Sequence, residues 1–325
     1  MRYKHKKYLF KYGQGQRLVY WLKKVRLSRE ENVSLYKVLK IFSKNIDEDQ
    51  IMDKANGVAY NFILAIFPTI IFLFTLIPYI STWVPEVNTN SIMEFLATMM
   101  PASMYDVIAT TIEDIIGNSR GGLLTFGVLF ALFLASNGMM ALMRAFNSCY
   151  KTEEKRGVIK TRLIATGLTL NLALVLFLAV ILLVVGQLVL NYILAHLPEF
   201  RWLNLDDYTV QMILVLRFIV IFIVFFFAIA TIYYFGPAVH YDWRFFSLGS
   251  ILATLGTLGV SYGFSFYITN FGSYNKVYGS IGVLIALMIW VQLVTTVLLF
   301  GYEIDASIHE AKRKAALWEA RKKNA

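Results

Sequence analysis

Six stretches of the chain are apolar almost without interruption. They run from about Ala55 to Ile80, Leu123 to Leu142, Leu163 to Ala195, Met212 to Phe235, Phe245 to Ile268 and Gly279 to Gly301. Each approaches or exceeds the ~20 residues that a helix needs to cross the hydrocarbon of a bilayer. The third is longer than a bilayer requires and must tilt or protrude. One such run could be a buried helix of a soluble protein, but six predict an all-α fold, a polytopic membrane helix bundle with six transmembrane helices. Ahead of the first run, Leu35, Val38, Leu39, Phe42 and Ile46 recur at helical spacing, with Lys37, Lys40 and Lys44 elsewhere on the wheel. That pattern predicts an amphipathic helix lying on the inner leaflet. Between the first two runs, Ser91 with Glu94 forms a capping box, and Ser103 with Asp106 resembles one. The loop 81–122 is therefore expected to hold two short helices. The chain divides into a basic segment 1–54, a membrane domain 55–308 and a basic tail 309–325.

Composition and charge sharpen this picture. The chain is 58% hydrophobic and 16% charged, with a mean hydropathy of +0.58. Soluble domains carry more charge than that. Of the 31 Lys and Arg residues, 14 precede the first run, and the segment after that run holds only Arg120. The next segment holds six and the C-terminal tail another six. By the positive-inside rule, basic-rich segments face the cytoplasm, so both termini are expected to be cytoplasmic, as an even number of spans requires. The net charge of +10 then points to anionic lipid headgroups as partners, and no nucleic acid is expected. Cys149 is the one cysteine and is read as a free thiol on the reducing side.

Polar residues inside the apolar runs are the candidates for function, because unpaired polar groups in hydrocarbon are costly. Asn61, Asn137, Arg144, Asn147, Asn171, Gln292 and Glu303 are expected to line a polar cavity open to the cytoplasm, with Arg144 and Glu303 as an ion pair. Packing of the amides between helices is the competing reading. In the fifth run, Ser250, Thr254, Thr257, Ser261 and Ser265 form a hydroxyl stripe that Ser247 extends. Such a stripe serves either a helix contact or a hydrophilic path. Gly249, Gly256, Gly259 and Gly263 fall on another face and are expected to let a neighbouring helix approach closely. The four histidines are scattered without ligand spacing, so neither a metal site nor any other cofactor is expected. There is no phosphate-binding loop ending in Gly-Lys-Ser/Thr.

Several motifs resemble those of one family. Ala59-Tyr60-Asn61-Phe62 through Phe67-Pro68, and Ala141-Leu142-Met143-Arg144-Ala145-Phe146-Asn147 followed by Tyr150, resemble the first two motifs of the YihY/BrkB family, once labelled ribonuclease BN. Pro237 with Trp243 resembles its middle motif. Tyr278-Gly279-Ser280-Ile281-Gly282, Trp290 and Gly301-Tyr302-Glu303-Ile304 resemble its closing one. The resemblance covers about residues 40 to 308. It implies a six-helix protein of the bacterial cytoplasmic membrane, in a family linked to virulence, envelope lipid traffic and ribonuclease activity. Two readings follow: a non-enzymatic transporter or flippase-like protein for an amphiphile or small solute, or a non-transporting envelope-assembly scaffold that could act as a homo-oligomer. A ribonuclease has no supporting catalytic motif.

Overall fold

The structure is a computed structural model that describes residues 13–28, 33–48, 50–80, 93–94, 109, 121–195, 207–238, 245–270 and 273–323. The elements are α1 (Gly13–Lys24), β1 (Arg26–Ser28), β2 (Val33–Ser34), α2 (Leu35–Glu48), α3 (Ile51–Ile80), α4 (Gly121–Cys149), α5 (Val158–Ala195), α6 (Asp207–Phe235), α7 (Leu248–Asn270) and α8 (Ser273–Lys323). The two short strands pair antiparallel and are the only departure from helix among the described elements. Five helices, α4 to α8, are long and apolar enough to cross a membrane. The 30-residue α3 carries the first expected span. Apart from 93–94 and 109, the two short helices expected in 81–122 lie outside the described residues.

The six long helices close into a ring. Each packs on its neighbours in the chain, and α8 returns to pack on α3. It also reaches α4. The α3–α4 contact is the most extensive. Gly138 makes part of it possible: a Cβ there would stand 2.8 Å from the Phe62 ring. The largest apolar cluster joins Ile51, Ala55 and Val58 of α3 to Met139, Leu142, Met143 and Phe146 of α4 and to Leu299, Tyr302 and Ala306 of α8. All of these lie toward the end of the ring where residues 13–48 and the C-terminal part of α8 also sit. That end is called the basic end here.

Two expectations change. The tail 309–325 is not a separate segment, because α8 runs unbroken for 51 residues to Lys323. At 1.5 Å per residue that is about 76 Å, more than twice the hydrocarbon thickness. The amphipathic α2 packs part of its apolar side on protein, while Leu39 stays exposed. Val33 and Val38 are buried with Ala311, and Ile41 packs there beside Ile308 and Ala315. Phe42 meets Phe300 edge-on at 6.3 Å. Periodicity shows that a helix has an apolar face. It does not show whether lipid or protein covers it, and here the overlong α8 supplies part of the cover.

Turn chemistry fixes the joints. Gln50, between α2 and α3, has φ 47°. After α4, Thr152 N–H donates to Asn147 O at 2.9 Å and Lys151 N–H to Ser148 O at 3.0 Å, with Lys151 at φ 51°. This is a Schellman stop with lysine in the place that glycine usually takes.

Candidate functional site

The basic end of the ring is filled by rings and carboxylates. Phe146 of α4 stacks on Tyr302 of α8 with centroids 4.1 Å apart, and Tyr233 of α6 stands edge-on to both at 5.4 and 5.3 Å. Tyr150 closes on Tyr302 at 5.7 Å. Edge-on and offset aromatic pairs of this kind add about 0.5–1.5 kcal/mol each beyond their burial. The Tyr233 hydroxyl donates to Leu298 O. Phe146, Tyr233 and Tyr302 are almost wholly buried, so three helices meet in a dry aromatic layer.

Glu303 follows directly and is fully buried. Its Oε1 accepts from Asn45 Nδ2 of α2 at 2.8 Å and from Ser307 Oγ at 3.3 Å. Asn45 Nδ2 also lies 3.3 Å from Glu310 Oε2. A buried carboxylate must be hydrogen-bonded to be tolerated, and α2 supplies the donor. Arg144 does not: it is exposed on α4 and makes no ion pair with Glu303. The expected Arg144–Glu303 pair is therefore corrected: Arg144 is on an exposed face of α4, whereas Glu303 is buried in the middle of α8 against Asn45 of α2. Asp305, two residues on, accepts from Gly249 N–H at 2.8 Å. It thereby caps the positive N-terminus of α7 from another helix.

The other expected cavity residues are dispersed. Asn61 Nδ2 donates back to Gly57 O of its own helix. Asn137 Oδ1 accepts from Arg162 of α5, whose guanidinium also covers the Phe133 ring at 3.9 Å. Asn147 is a loop latch: its Oδ1 accepts from Ala238 N–H at 2.8 Å and its Nδ2 donates to Glu154 at 3.0 Å. Glu154 in turn holds Arg156, which donates to the carbonyls of Phe235 and Gly236. The Arg156 guanidinium keeps the Glu154 carboxyl below the usual glutamate range. Gln292 is half-buried on α8, and its carbonyl oxygen on the main chain accepts from Thr296. Two cavities of the molecule, one between α7 and α8 and one between α2 and α8, are lined by none of the seven.

The α7–α8 seam separates the glycines. A Cβ on Gly249 would clash with Gly301 O and stand 2.5 Å from Asp305 Oδ2. One on Gly256 would stand 2.7 Å from a Val297 methyl. Gly301 is equally tight, 2.6 Å from Ala253 Cβ and 2.7 Å from the Tyr233 hydroxyl. Gly259 and Gly263 meet nothing within 4 Å among the described residues, so they are not part of this contact. The hydroxyl stripe lies on the flank beside the seam, away from the exposed Ile251, Leu252 and Leu255. Ser250 and Thr254 are fully buried and Thr257 is 4% exposed. Ser261 is half-buried and accepts from Trp290 Nε1 at 3.1 Å, and Ser265 is exposed. Burial thus falls along the stripe away from the basic end. Two buried polar atoms at mid-depth, Thr257 Oγ1 and Asn171 Nδ2, have no hydrogen-bond partner among the described residues.

Sequence reasoning did not single out Asn45 or Arg162 as partners, nor Asp305 as a cap. Asn45 carried a signal: it falls seven residues after Val38, on the apolar stripe of α2, where a polar residue needs a buried partner.

Comparison with known proteins agrees with the architecture. The family model described as virulence factor BrkB matches residues 42–324. A ribonuclease-like protein of Bacillus subtilis, YfkH, is 32% identical over 80% of this chain and 90% of its own length. A UPF0761 membrane protein of Alteromonas mediterranea is 28% identical over 83% of this chain and 87% of its own length. One of Aggregatibacter aphrophilus is 24% identical over 84% and 92%. No solved structure matches. The ring of long apolar helices and the match over residues 42–324 lead to one conclusion: the chain belongs to the virulence factor BrkB family and is a multi-pass bacterial membrane protein.

Proposed function

We propose that the protein passes an amphiphile or small solute through the helix ring, and that the conformation described is shut at the basic end. One observation carries this reading: Thr257 Oγ1 and Asn171 Nδ2 are buried at mid-depth without partners among the described residues. A buried polar atom left unpaired costs about 1–3 kcal/mol, and hydrocarbon offers it nothing. A bundle that only had to pack would place apolar side chains there. Polar groups that wait for water or for a passing headgroup account for the cost. The fall in burial from Ser250 to Ser265 supports a path that widens away from the basic end. On the positive-inside argument the seal is cytoplasmic and the wide end is outward. The expectation from sequence put the opening at the other end; the buried aromatic layer there supports an outward opening instead.

A scaffold that transports nothing is the second reading. The dry seal and the Asn147–Glu154–Arg156 latch favour it, since both serve rigidity. The ribonuclease-like name belongs to the Bacillus relative, and the transport reading assigns no catalytic residue. Reconstitution in liposomes separates the two readings, with lipid scrambling and solute flux as readouts. Transport predicts flux by the wild type that drops several-fold in Thr257→Val and Asn171→Leu. Both variants should keep or gain thermal stability, because each removes an unsatisfied group. No flux of any envelope lipid or common solute by the wild type would support the scaffold.

A further inference from the structure

The α2–α8 contact leaves a cavity of about 420 Å³ between the two helices, outside the ring. Its lining is Lys37, Lys40 and Ile41 from α2 and Ala311, Lys314, Ala315 and Trp318 from α8. Three lysines from two helices therefore line one space together with apolar side chains and an indole. Lys314 is paired with Glu310. Lys37 and Lys40 have no ion pair among the described residues, and Lys322 lies over the Trp318 ring, 5.5 Å from its centroid. Trp318 is 65% exposed, so one face of the cavity has a large aromatic surface open to solvent. Glu310 balances one of the three lysines, and the two charges left on Lys37 and Lys40 sit three positions apart on one helix, where an anion would stabilise both. The volume is in the range of small-molecule sites.

Depth decides which anion. Lys314 and Trp318 lie about 20 and 25 Å along α8 from Gly301, where the last apolar run ends. The headgroup layer on one side of a bilayer is only about 5–8 Å thick. The cavity is therefore beyond the lipid headgroups when α8 runs near the membrane normal, and its ligand comes from water.

We propose that this cavity binds a soluble organic phosphate of at least two negative charges, with its phosphates on Lys37 and Lys40 and a planar portion on Trp318. A nucleoside diphosphate has that chemistry. The inference does not depend on whether the ring transports anything.

The test uses the purified full chain in neutral phosphatidylcholine nanodiscs, with ADP, pyrophosphate and adenosine followed by equilibrium dialysis. ADP is expected to bind saturably, and the double variant Lys37→Ala/Lys40→Ala to weaken it at least tenfold. Trp318→Ala should weaken ADP but leave pyrophosphate unchanged, and adenosine should not bind. The substituted side chains are exposed, and an unchanged melting temperature without ligand verifies that each variant folds. Absence of saturable ADP binding overturns the proposal, as does binding that the lysine variant leaves intact. So does a site filled only by phosphatidylglycerol in discs that contain it, which would assign the lysines to a headgroup.

Discussion

Gln50 sits in the left-handed region with φ 47°, exposed, at the corner between α2 and α3. An L-residue there costs about 1–2 kcal/mol that glycine avoids, partly offset by the greater freedom of glycine in the unfolded chain. Gln50→Gly should therefore raise the unfolding free energy by up to about 1 kcal/mol, measured by denaturant unfolding in detergent. A loss would mean that the glutamine side chain, not the backbone, holds the corner. The carboxyl of Glu154 gives a pH prediction. Its folded pKa lies below the ordinary value, first because Arg156 hydrogen-bonds to it. Its contribution is present above the ordinary glutamate pKa and disappears as pH falls through the depressed folded value. The melting temperature of the wild type should thus fall more steeply than that of Glu154→Gln on acidification below about pH 4.5. Parallel curves would remove the latch from the account. At this scale the sequence was partly readable. Glu303 was marked as a costly group, yet its partner could not be chosen from charge alone. Arg144, expected at the same side of the membrane, looked suitable, and an asparagine more than 250 residues away bonds Glu303 instead.

Helix pairs depend on small residues at defined places. The α7–α8 crossing requires Gly249, because a Cβ there has backbone and carboxylate in its way. Gly249→Ala should destabilise the protein by about 1–3 kcal/mol through overpacking. Gly259→Ala, whose Cβ meets nothing within 4 Å among the described residues, should be neutral or better. Equal effects of the two in a thermal-shift series would contradict the seam as described. The sequence showed four glycines of similar spacing, but spacing cannot say how far along a helix its neighbour stays in contact. The two nearer the basic end pack closely on α8, and a Cβ at the two beyond meets nothing within 4 Å among the described residues. The same limit explains α2. Its apolar stripe was plain, but its cover comes from a continuation of α8 that the polar composition of 309–325 concealed.

Across the whole molecule, six apolar runs were enough to give six long helices, since hydrocarbon leaves the backbone few alternatives. Ring closure was not legible. It depends on the contact of α8 with α3, more than 200 positions apart, and no local pattern encodes that. Nor was the buried aromatic layer at the basic end, because polar residues near one end are equally consistent with a cavity and with a hydrogen-bonded seal. The central claim is that the ring is shut at the basic end and accessible from the other. Cysteine accessibility along the α7 stripe tests it most directly, in a Cys149→Ser background and with a membrane-impermeant maleimide applied to either side. The account predicts labelling of Ser261→Cys and Ser265→Cys from the side opposite the termini, and none of Ser250→Cys or Thr254→Cys from either side. Labelling of positions 250 and 254 from the side of the termini would contradict it.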